Sequence, residues 1–329
     1  MKVLFIGGTG VISSACTQLA VKREIELYLL NRGESLSREI PSGAKIIKGD
    51  IRDKESAKKA IGDMKFDVVV DWIAFDVPHI ETDIELFANR TKQFIFISSA
   101  SVYHTPPLSL PVTESTPAYN PFWDYSQKKI AIEDRLMKEY REKGFPVTIV
   151  RPSHTYDKTS IPLVGRYTVI DRMRKGKKVI VHGDGTSIWV LTHHTDFAVG
   201  FVGLMGNNHA IGETFHITSD ELLTWNQIYD IAAKALGVEA NIVHVPSDIL
   251  AKYDAEWGYN MHGDKAHSMI FDNTKIKRFV PDFNPSIPFS RGFEEIIAWY
   301  DGDPSRQKID NEFNILTDKI ITAIEAVKP

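Results

Sequence analysis

The chain has 329 residues, 43% of them hydrophobic, which is enough to bury a large core and predicts two domains or one domain with an attached lobe. Its 39 basic and 43 acidic residues give a formal net charge of -4, without the basic excess typical of proteins that bind nucleic acid through phosphates. No apolar run approaches the roughly 20 residues of a membrane span, and Met1 leads directly into a strand-like segment, so we expect a cytoplasmic protein. The single cysteine, Cys16, excludes an internal disulfide and is expected to be a packed core thiol.

In the first half of the chain, short apolar runs rich in Val, Ile and Phe alternate with helical patterns. The predicted strands cover residues 2–6, 25–30, 44–47, 66–71, 93–97 and 146–150. The predicted helices cover residues 11–22, 53–62, 79–91 and 124–143. This alternation predicts an α/β protein with a doubly wound parallel sheet of the Rossmann type.

The loop after the first predicted strand is rich in glycine. Glycines permit a tight turn and a close approach of the backbone to a pyrophosphate, whose charge lies at the N-terminus of the following helix. Because the loop follows a strand and opens a helix, it predicts binding of NAD or NADP. The residues predicted to hold the pyrophosphate are Gly7, Gly8, Thr9, Gly10, Val11 and Ile12. Ser13 stands where a third glycine is usual, and its small side chain should be tolerated.

The ends of the second and third strands are expected to contact the rest of the cofactor. Asn31 and Arg32 follow the second strand, where an arginine can neutralise the 2′-phosphate of NADP, so Arg32 favours NADP over NAD. A solvated arginine is the alternative. Asp50 and Ile51 follow the third strand, where the adenine edge is expected, although Asp50 could also simply cap a helix.

A catalytic group is predicted from three residues, Ser99, Tyr125 and Lys129. Ser99 lies after the fifth strand, and a tyrosine and a lysine four apart share one helix face. A free tyrosine, with a pKa of roughly 10, is a poor base at neutral pH, but a neighbouring ammonium and a positive nicotinamide ring would stabilise its phenolate. The tyrosine could then take a hydroxyl proton during hydride transfer, while the serine hydrogen-bonds the carbonyl oxygen that forms.

These motifs together resemble the extended short-chain dehydrogenase/reductases, a superfamily that includes nucleotide-sugar epimerases and dehydratases. The resemblance implies that Ser99 is the catalytic serine, Tyr125 the base and Lys129 its partner, which also holds the nicotinamide ribose. It further implies that four other residues contact the nicotinamide half of the cofactor: Trp72, Ala74, Pro152 and His154. The Gly-Gly-Thr-Gly-Val-Ile-Ser opening and the Asn-Arg-Gly end of the second strand are closer to atypical members, which include a plastid RNA-binding branch.

After Arg151, prolines and glycines break the chain into shorter pieces, which predicts a smaller C-terminal lobe. We expect residues 1–158 with about 189–218 to form the NAD(P)-binding domain. Residues about 159–188 and 219–329 would form the substrate-binding lobe, and segments 189–205 and 213–218 could add elements to the sheet. The lobe should end in an amphipathic helix with five apolar residues at helical spacing: Phe313, Leu316, Ile320, Ile324 and Val327.

Four residues near the catalytic segments are predicted to contact the substrate: Ser101, His104, Trp123 and Trp189. By the resemblance, Trp189 stands where sugar-nucleotide enzymes often have an arginine that grips the diphosphate, and Asp157 replaces a glycine. Trp189 could stack on a sugar, or it could fill the core while another arginine binds phosphate. The candidates for that arginine are Arg166, Arg172 and Arg174. A polar substrate could also be reached by His262, Asp264, Lys265 and His267.

No metal site is expected, because no carboxylate–histidine cluster has metal-ligand spacing, and the adjacent His193 and His194 should point in opposite directions. The sequence therefore predicts an NAD(P)-dependent oxidoreductase or epimerase acting on a hydroxyl-bearing carbon of a sugar or nucleotide-sugar-like molecule. Dehydration is disfavoured, because Ala100 follows Ser99 where an additional acid/base pair would be needed. We expect no nucleic-acid or membrane partner, and the chain is compatible with a homodimer. The alternative is a non-catalytic nucleotide- or RNA-binding member of the same fold.

Overall fold

A computed structural model of the chain describes residues 1–33 and 38–326. The strands are β1 (Lys2–Ile6), β2 (Glu26–Asn31), β3 (Lys45–Lys48), β4 (Phe66–Asp71), β5 (Thr91–Ile97), β6 (Val147–Pro152), β7 (His154–Tyr156), β8 (Val179–His182), β9 (Ile188–Trp189), β10 (Leu191–His193), β11 (Thr214–Ile217), β12 (Leu223–Thr224) and β13 (Ile242–Val245). The helices are α1 (Val11–Lys22), α2 (Lys54–Ile61), α3 (Val77–Phe87), α4 (Asp124–Lys143), α5 (Tyr167–Arg174), α6 (His194–Leu204), α7 (Trp225–Ala235), α8 (Ser247–Tyr253), α9 (Ala255–Asn260), α10 (Thr274–Phe279), α11 (Phe289–Asp301) and α12 (Asn311–Glu325).

Seven strands form one sheet in the order β11-β6-β5-β4-β1-β2-β3, and every neighbouring pair is parallel. The chain starts in the middle of the sheet at β1, winds outward to β3, and then crosses to β4 to wind the other way. This is the predicted doubly wound fold, and the prediction is confirmed. The strand order reverses between β1 and β4, which is where α/β sheets of this kind form a ligand crevice.

Both faces of the sheet are buried, which explains the nearly continuous apolar runs of its strands. On one face, α1 and α6 pack over Val3, Phe5 and Val70. On the other face, Leu4 and Ile6 belong to a cluster that the apolar residues of α2, α3 and α4 complete. Cys16 lies fully buried in the first of these clusters, as predicted, and burial raises the pKa of its thiol.

The C-terminal part of the chain forms a lobe with its own apolar cores and three two-stranded pairs: β10-β7, β12-β9 and β13-β8. Of the segments expected to extend the main sheet, 213–218 contributes β11, whereas 189–205 contributes β10, which pairs with β7 instead, and α6. The predicted C-terminal helix is present as α12, and its Ile320 and Ile321 pack on the lobe. Val327 lies outside the described residues, and the proposed residue limits of the two domains stay a prediction.

Within residues 1–33 and 38–326, no helix combines the length and apolarity needed to cross a membrane.

Candidate active site

The glycine loop between β1 and α1 has a backbone that only glycine adopts without strain. Gly7 has a φ of +98° and Gly8 a φ of +102°. A Cβ atom at Gly8 would lie 2.9 Å from Leu29 Cδ2, so the position also lacks room for a side chain. Ser13 fits because its Oγ accepts a 2.8 Å hydrogen bond from the amide of Gly10. The loop therefore has the cradle and the helix N-terminus that a dinucleotide pyrophosphate needs.

A cavity of about 350 Å³ lies along the carboxyl ends of the strands on the β3 side of this loop. It is lined by Gly7, Thr9, Leu30, Asn31, Arg32, Gly33, Gly49, Asp50, Ile51, Arg52, Ile73 and Phe75. The predicted adenosine contacts Asn31, Arg32, Asp50 and Ile51 thus surround one space. Asp50 does not cap α2, since that role belongs to Asp53, which accepts hydrogen bonds from two amides of the first turn.

Trp72 and Ala74, predicted to lie beneath the nicotinamide ribose, do not line this cavity. The Trp72 ring packs against Phe5 and Phe201, with centroids 5.4 Å and 4.7 Å away, because this side of β4 faces the sheet core. Ala74 is fully buried, and Ile73 and Phe75 line the cavity in place of these two residues. Contact of Trp72 and Ala74 with the cofactor stays a prediction, and their side chains do not line this cavity.

A second cavity, of about 280 Å³, lies beyond the ends of β5 and β6 and against the lobe. It is lined by Ser99, Ala100, Ser101, Trp123, Tyr125, Pro152, Ser153, His154, Trp189, Val190, Asp264, Lys265, Met269 and Phe271. Seven predicted site residues, distant in sequence, meet here: Ser99, Ser101, Trp123, Tyr125, Pro152, His154 and Trp189. The parallel sheet explains this, because the carboxyl ends of its strands share one edge.

Three serine hydroxyls form a chain at this cavity. Ser126 Oγ donates to Ser101 Oγ over 2.8 Å, and Ser101 Oγ and Ser99 Oγ are 2.9 Å apart. Burial and the charge of Asp264 raise the pKa of the Tyr125 phenol, while a hydrogen bond from Ser99 lowers it, and the net effect is an increase. In the cofactor-free protein, Tyr125 is therefore a protonated phenol at neutral pH. Ser126 was not predicted, because a serine in the first turn of a helix is ordinarily a solvated residue.

Lys129 lies behind Tyr125 with only 2% of its surface exposed. Its Nζ donates to the carbonyl oxygens of Ala74 and Ile97 over 2.7 Å and 2.8 Å and lies 5.8 Å from the centroid of the Tyr125 ring. Burial lowers the pKa of Lys129 to about 8. The two carbonyls fix the ammonium between the ends of β4 and β5, and one of its three donors remains for a ligand.

His104, predicted to contact substrate, does not line the cavity. The Tyr103 side chain is fully buried and its hydroxyl lies 2.9 Å from His216 Nδ1. Because successive side chains of an extended backbone point in opposite directions, His104 turns away from the Tyr103 side, and its ring lies tilted against that of Tyr119 with centroids 4.9 Å apart. Contact of His104 with the substrate stays a prediction.

The lobe wall of the cavity is a single π-helical turn, Met261–Lys265, which Asn120 ties to the catalytic segment. The buried Asn120 Nδ2 donates both to the Ser101 carbonyl, over 2.8 Å, and to the Gly263 carbonyl, over 2.6 Å. A Cβ atom at Gly263 would lie 2.7 Å from Trp123 Cβ, so the two elements touch closely. We call these two hydrogen bonds the Asn120 clasp. It was not predicted, since an asparagine in a loop gives no local signal of a partner 143 residues away.

Arg38 lies between the glycine loop and the segment that follows β7. Its Nε donates to Asp157 Oδ2 over 2.7 Å, and its Nη1 is 3.5 Å from the Thr9 carbonyl of the glycine loop. Asp157 is buried, and its pKa is lowered by the hydrogen bonds from Arg38 and Thr159, despite the opposing effect of burial. The aspartate that departs from the family pattern thus pairs with an arginine that the sequence did not single out.

Histidines and carboxylates do not gather into a metal site in the part of the chain that the structure describes, where no group of three or more such side chains occurs. His193 and His194 do not point apart as predicted. His193 ends β10 and His194 begins α6, and the change of backbone direction brings their rings to 4.9 Å.

The fold and this double cavity define a class of nucleotide-binding α/β proteins, and the model of the NAD dependent epimerase/dehydratase family matches residues 3–218. The chain belongs to this family, as the resemblance predicted. It is 29% identical over 256 residues to the chloroplast stem-loop binding protein of 41 kDa b of Arabidopsis thaliana; the match covers 74% of this chain and 65% of that protein, so less than two thirds of that relative. It is 25% identical over 327 residues to the UDP-N-acetyl-alpha-D-glucosaminuronate decarboxylase of Bacillus cytotoxicus, covering 91% of this chain and 97% of that protein.

Solved structures show the same fold at low sequence identity. The UDP-glucuronic acid 4-epimerase of Bacillus cereus, solved with UDP-glucuronic acid and NAD, superposes with a TM-score of 0.74 at 21% identity, covering 92% of this chain and 99% of that one. The dTDP-glucose 4,6-dehydratase of Bacillus anthracis, solved with NAD, superposes with a TM-score of 0.73 at 20% identity. The match covers 93% of this chain and 98% of that one. The chain therefore shares its Rossmann-type architecture with both of these proteins.

Proposed function

We propose that this protein catalyses NAD(P)-dependent hydride transfer at a hydroxyl-bearing carbon of a sugar or nucleotide-sugar-like substrate, as an oxidoreductase or an epimerase. The observation that carries the proposal is the meeting of Ser99 and Tyr125 at one cavity, with the Lys129 ammonium fixed behind the phenol. Membership of the NAD dependent epimerase/dehydratase family supports the same chemistry.

In the proposed reaction, Tyr125 as phenolate takes the proton of a substrate hydroxyl, and the C–H electron pair leaves as hydride. Bound oxidised NAD(P) would supply the hydride acceptor and a positive charge beside the phenol. Ser99 donates a hydrogen bond to the oxygen as it becomes a carbonyl, and the ammonium of Lys129 favours the phenolate. In the epimerase version, the hydride returns to the other face of the carbon and Tyr125 gives the proton back.

For the cofactor, we propose that Gly7, Gly8 and Gly10 accommodate the pyrophosphate and that Lys129 contacts the nicotinamide ribose. The glycine-specific backbone of the loop supports this assignment. Two neighbours of the same fold were solved with NAD, which favours an NAD-type cofactor. The preference for NADP rests on Arg32 alone, at the wall of the first cavity.

A second candidate function is RNA binding without turnover, because one relative is named as a chloroplast stem-loop binding protein. The net charge of -4 and the intact group of Ser99, Tyr125 and Lys129 favour the enzyme. A gel-shift assay with stem-loop RNA at moderate salt distinguishes the two, since the enzyme proposal expects no shift. The cytoplasmic location, the homodimer and the absence of nucleic-acid partners stay predictions.

The test is turnover of a panel of free, glycosidic and nucleotide-linked sugars. An oxidoreductase is detected by reduction of NAD or NADP at 340 nm, and an epimerase, which returns the hydride, by chromatographic detection of the epimeric sugar. With any active sugar, Tyr125→Phe should lower kcat by about 10²–10⁴-fold and leave cofactor affinity nearly unchanged, because the phenol oxygen serves the proton transfer. Mass spectrometry of the nucleotide released on denaturation identifies the cofactor. Turnover by Tyr125→Phe at the wild-type rate would show that another residue is the base.

A further inference from the structure

The lobe side of the second cavity carries two charged residues, Asp264 and Lys265, that the proposed chemistry does not use. Lys265 Nζ lies 2.9 Å from Asp264 Oδ2 and also donates to Asn260 Oδ1. The same Nζ lies 5.9 Å from the ring centroids of both Trp123 and Trp189. The Lys265 side chain is only 8% exposed. Lys265 and Asp264 therefore form a largely buried ion pair beside the two tryptophan rings, not a solvated pair on the surface.

The position of this ion pair is fixed from both sides of its turn. The Asn120 clasp holds the Gly263 carbonyl, and the Lys265 carbonyl accepts hydrogen bonds from His182 Nε2 over 3.0 Å and Ser187 Oγ over 3.2 Å. A lysine has three N–H donors, and the partners among the described residues use two. One N–H donor of Lys265 and the oxygens of Asp264 thus remain to bind a ligand in the cavity that Tyr125 also lines.

The cavity lining carries one acidic and one basic side chain, and these two pair with each other. Asp264 and Lys265 are its only side chains with full charges within the described residues, and His154 is neutral because burial lowers its pKa to about 3. A diphosphate carries two or more negative charges and is held in proteins by arginine or lysine donors. By the resemblance described above, Trp189 stands where sugar-nucleotide enzymes often have such an arginine, and its ring stacks on Trp225 at 6.0 Å.

None of the three alternative arginines reaches this cavity. Arg172 is buried in the lobe, where its Nη2 donates to Asp318 over 2.6 Å. Arg174 pairs with Asp301 over 2.7 Å. Arg166 lines a different cavity beside Trp257, and the two cavities have no lining residue in common. Among the described residues, no arginine lines this cavity.

We propose, resting on the proposed function, that the substrate is a neutral, monosaccharide-sized polyhydroxylated molecule without a nucleoside diphosphate, bound through Lys265 and Asp264. Adjacent hydroxyls can accept from the Lys265 ammonium and donate to the Asp264 carboxylate. The half-buried Trp123 ring offers a face that suits the apolar face of a sugar ring, whereas Trp189, 5% exposed and stacked on Trp225, closes the apolar wall behind it. The cavity of about 280 Å³ is slightly smaller than the roughly 300–1,000 Å³ typical of ligand pockets, which also favours a small substrate.

The test is calorimetric binding to the protein saturated with NADH, using three matched pairs of ligands. The methyl glycosides of glucose, galactose and N-acetylglucosamine are compared with UDP-glucose, UDP-galactose and UDP-N-acetylglucosamine. At least one methyl glycoside should bind more tightly than its UDP counterpart. Lys265→Met should weaken that binding roughly tenfold, through the loss of a hydrogen bond to a charged group, whereas Arg166→Gln should leave it unchanged.

A second variant, Asp264→Asn, separates a binding role from a structural one. It removes the negative charge and leaves Lys265 unneutralised, so the ratio of affinities should shift toward the UDP-sugar, and Lys265→Met should shift it the other way. A merely structural effect would change both ligands of a pair alike. This comparison also covers the case in which Lys265→Met fails to fold.

Tighter binding of every UDP-sugar than of its glycoside, or no binding of any glycoside, would overturn the inference. Turnover of a UDP-sugar, as reduced cofactor at 340 nm or as its epimer, would overturn it too, while supporting the proposed function. Binding of a glycoside that depends on Lys265, without hydride transfer, would instead support the inference and count against the proposed function.

Discussion

Replacing Gly263 by alanine tests whether the lobe turn sets the geometry of the site. The added Cβ would lie 2.7 Å from Trp123 Cβ, about 0.8 Å short of the roughly 3.5 Å at which carbon atoms make favourable contact. Trp123 Cβ is not a flexible end of a side chain, so the turn and Trp123 must move apart by most of that distance. The Asn120 clasp then lengthens, and Asp264 and Lys265 shift relative to Tyr125.

A displacement approaching 1 Å at a reacting centre costs up to about 100-fold in rate, so we expect kcat/KM to fall by one to two orders of magnitude. Cofactor affinity should not change, because the glycine loop is not touched. The assay is hydride transfer with the best sugar of the panel, together with an NADH fluorescence titration.

The matched control is Gly203→Ala on α6, which adds the same methyl group away from the site. Its Cβ would lie 2.3 Å from Val280 Cγ1 in the core beside the sheet. It should destabilise the protein by about 1–3 kcal/mol in urea unfolding and leave kcat/KM unchanged. Wild-type kcat/KM in Gly263→Ala, or equal losses in both variants, would refute the assigned role of the turn.

Three further predictions concern Lys129, Asp83 and Arg32. Burial lowers the pKa of Lys129 to about 8 from roughly 10.4 in the unfolded chain, so the unfolded state binds the extra proton between these values. The free energy of unfolding should therefore rise by about 3 kcal/mol more from pH 8 to 10.4 than it does in Lys129→Met, and parallel curves would contradict this. Burial, together with the charge of Asp71, raises the pKa of the Asp83 carboxyl well above its usual range. The contribution of Asp83 to stability therefore falls as the pH rises above about 3.9, the pKa in the unfolded chain. In urea unfolding, Asp83→Asn should be more stable than wild type at pH 7 but not at pH 3. Arg32→Ala should weaken NADP more than NAD by roughly 1.5–3 kcal/mol in fluorescence titrations, and equal losses would leave Arg32 without a role in cofactor choice.

The parts of the site that local patterns encode could be predicted from the sequence. The glycine loop and the Tyr125–Lys129 pair each lie within a few residues of one another, so their geometry follows from one turn or one helix face. The parallel sheet then brings Ser99 and Pro152 to the same edge. That combination is why half of the residues that line the second cavity had been predicted as site residues without a structure.

The residues that sequence reasoning missed act through contacts between distant segments. Arg38 and Asp157 are 119 residues apart, and neither has a neighbouring residue that signals the pair. The sequence also could not give the side-chain directions of Trp72 and His104. Each direction depends on which neighbour fills the core, Phe201 for Trp72 and Tyr103 for His104.

The Asn120 clasp has a consequence for how this protein can acquire new specificities. It joins the catalytic segment to the lobe through main-chain carbonyls, those of Ser101 and Gly263, which every amino acid possesses. Substitutions at positions 264 and 265 can therefore alter the charge and shape presented to a ligand while the clasp keeps its two hydrogen bonds. The side chains that recognise a substrate are thus different from the main-chain atoms that position the catalytic segment. Mutations can therefore change the specificity of the site without breaking the clasp.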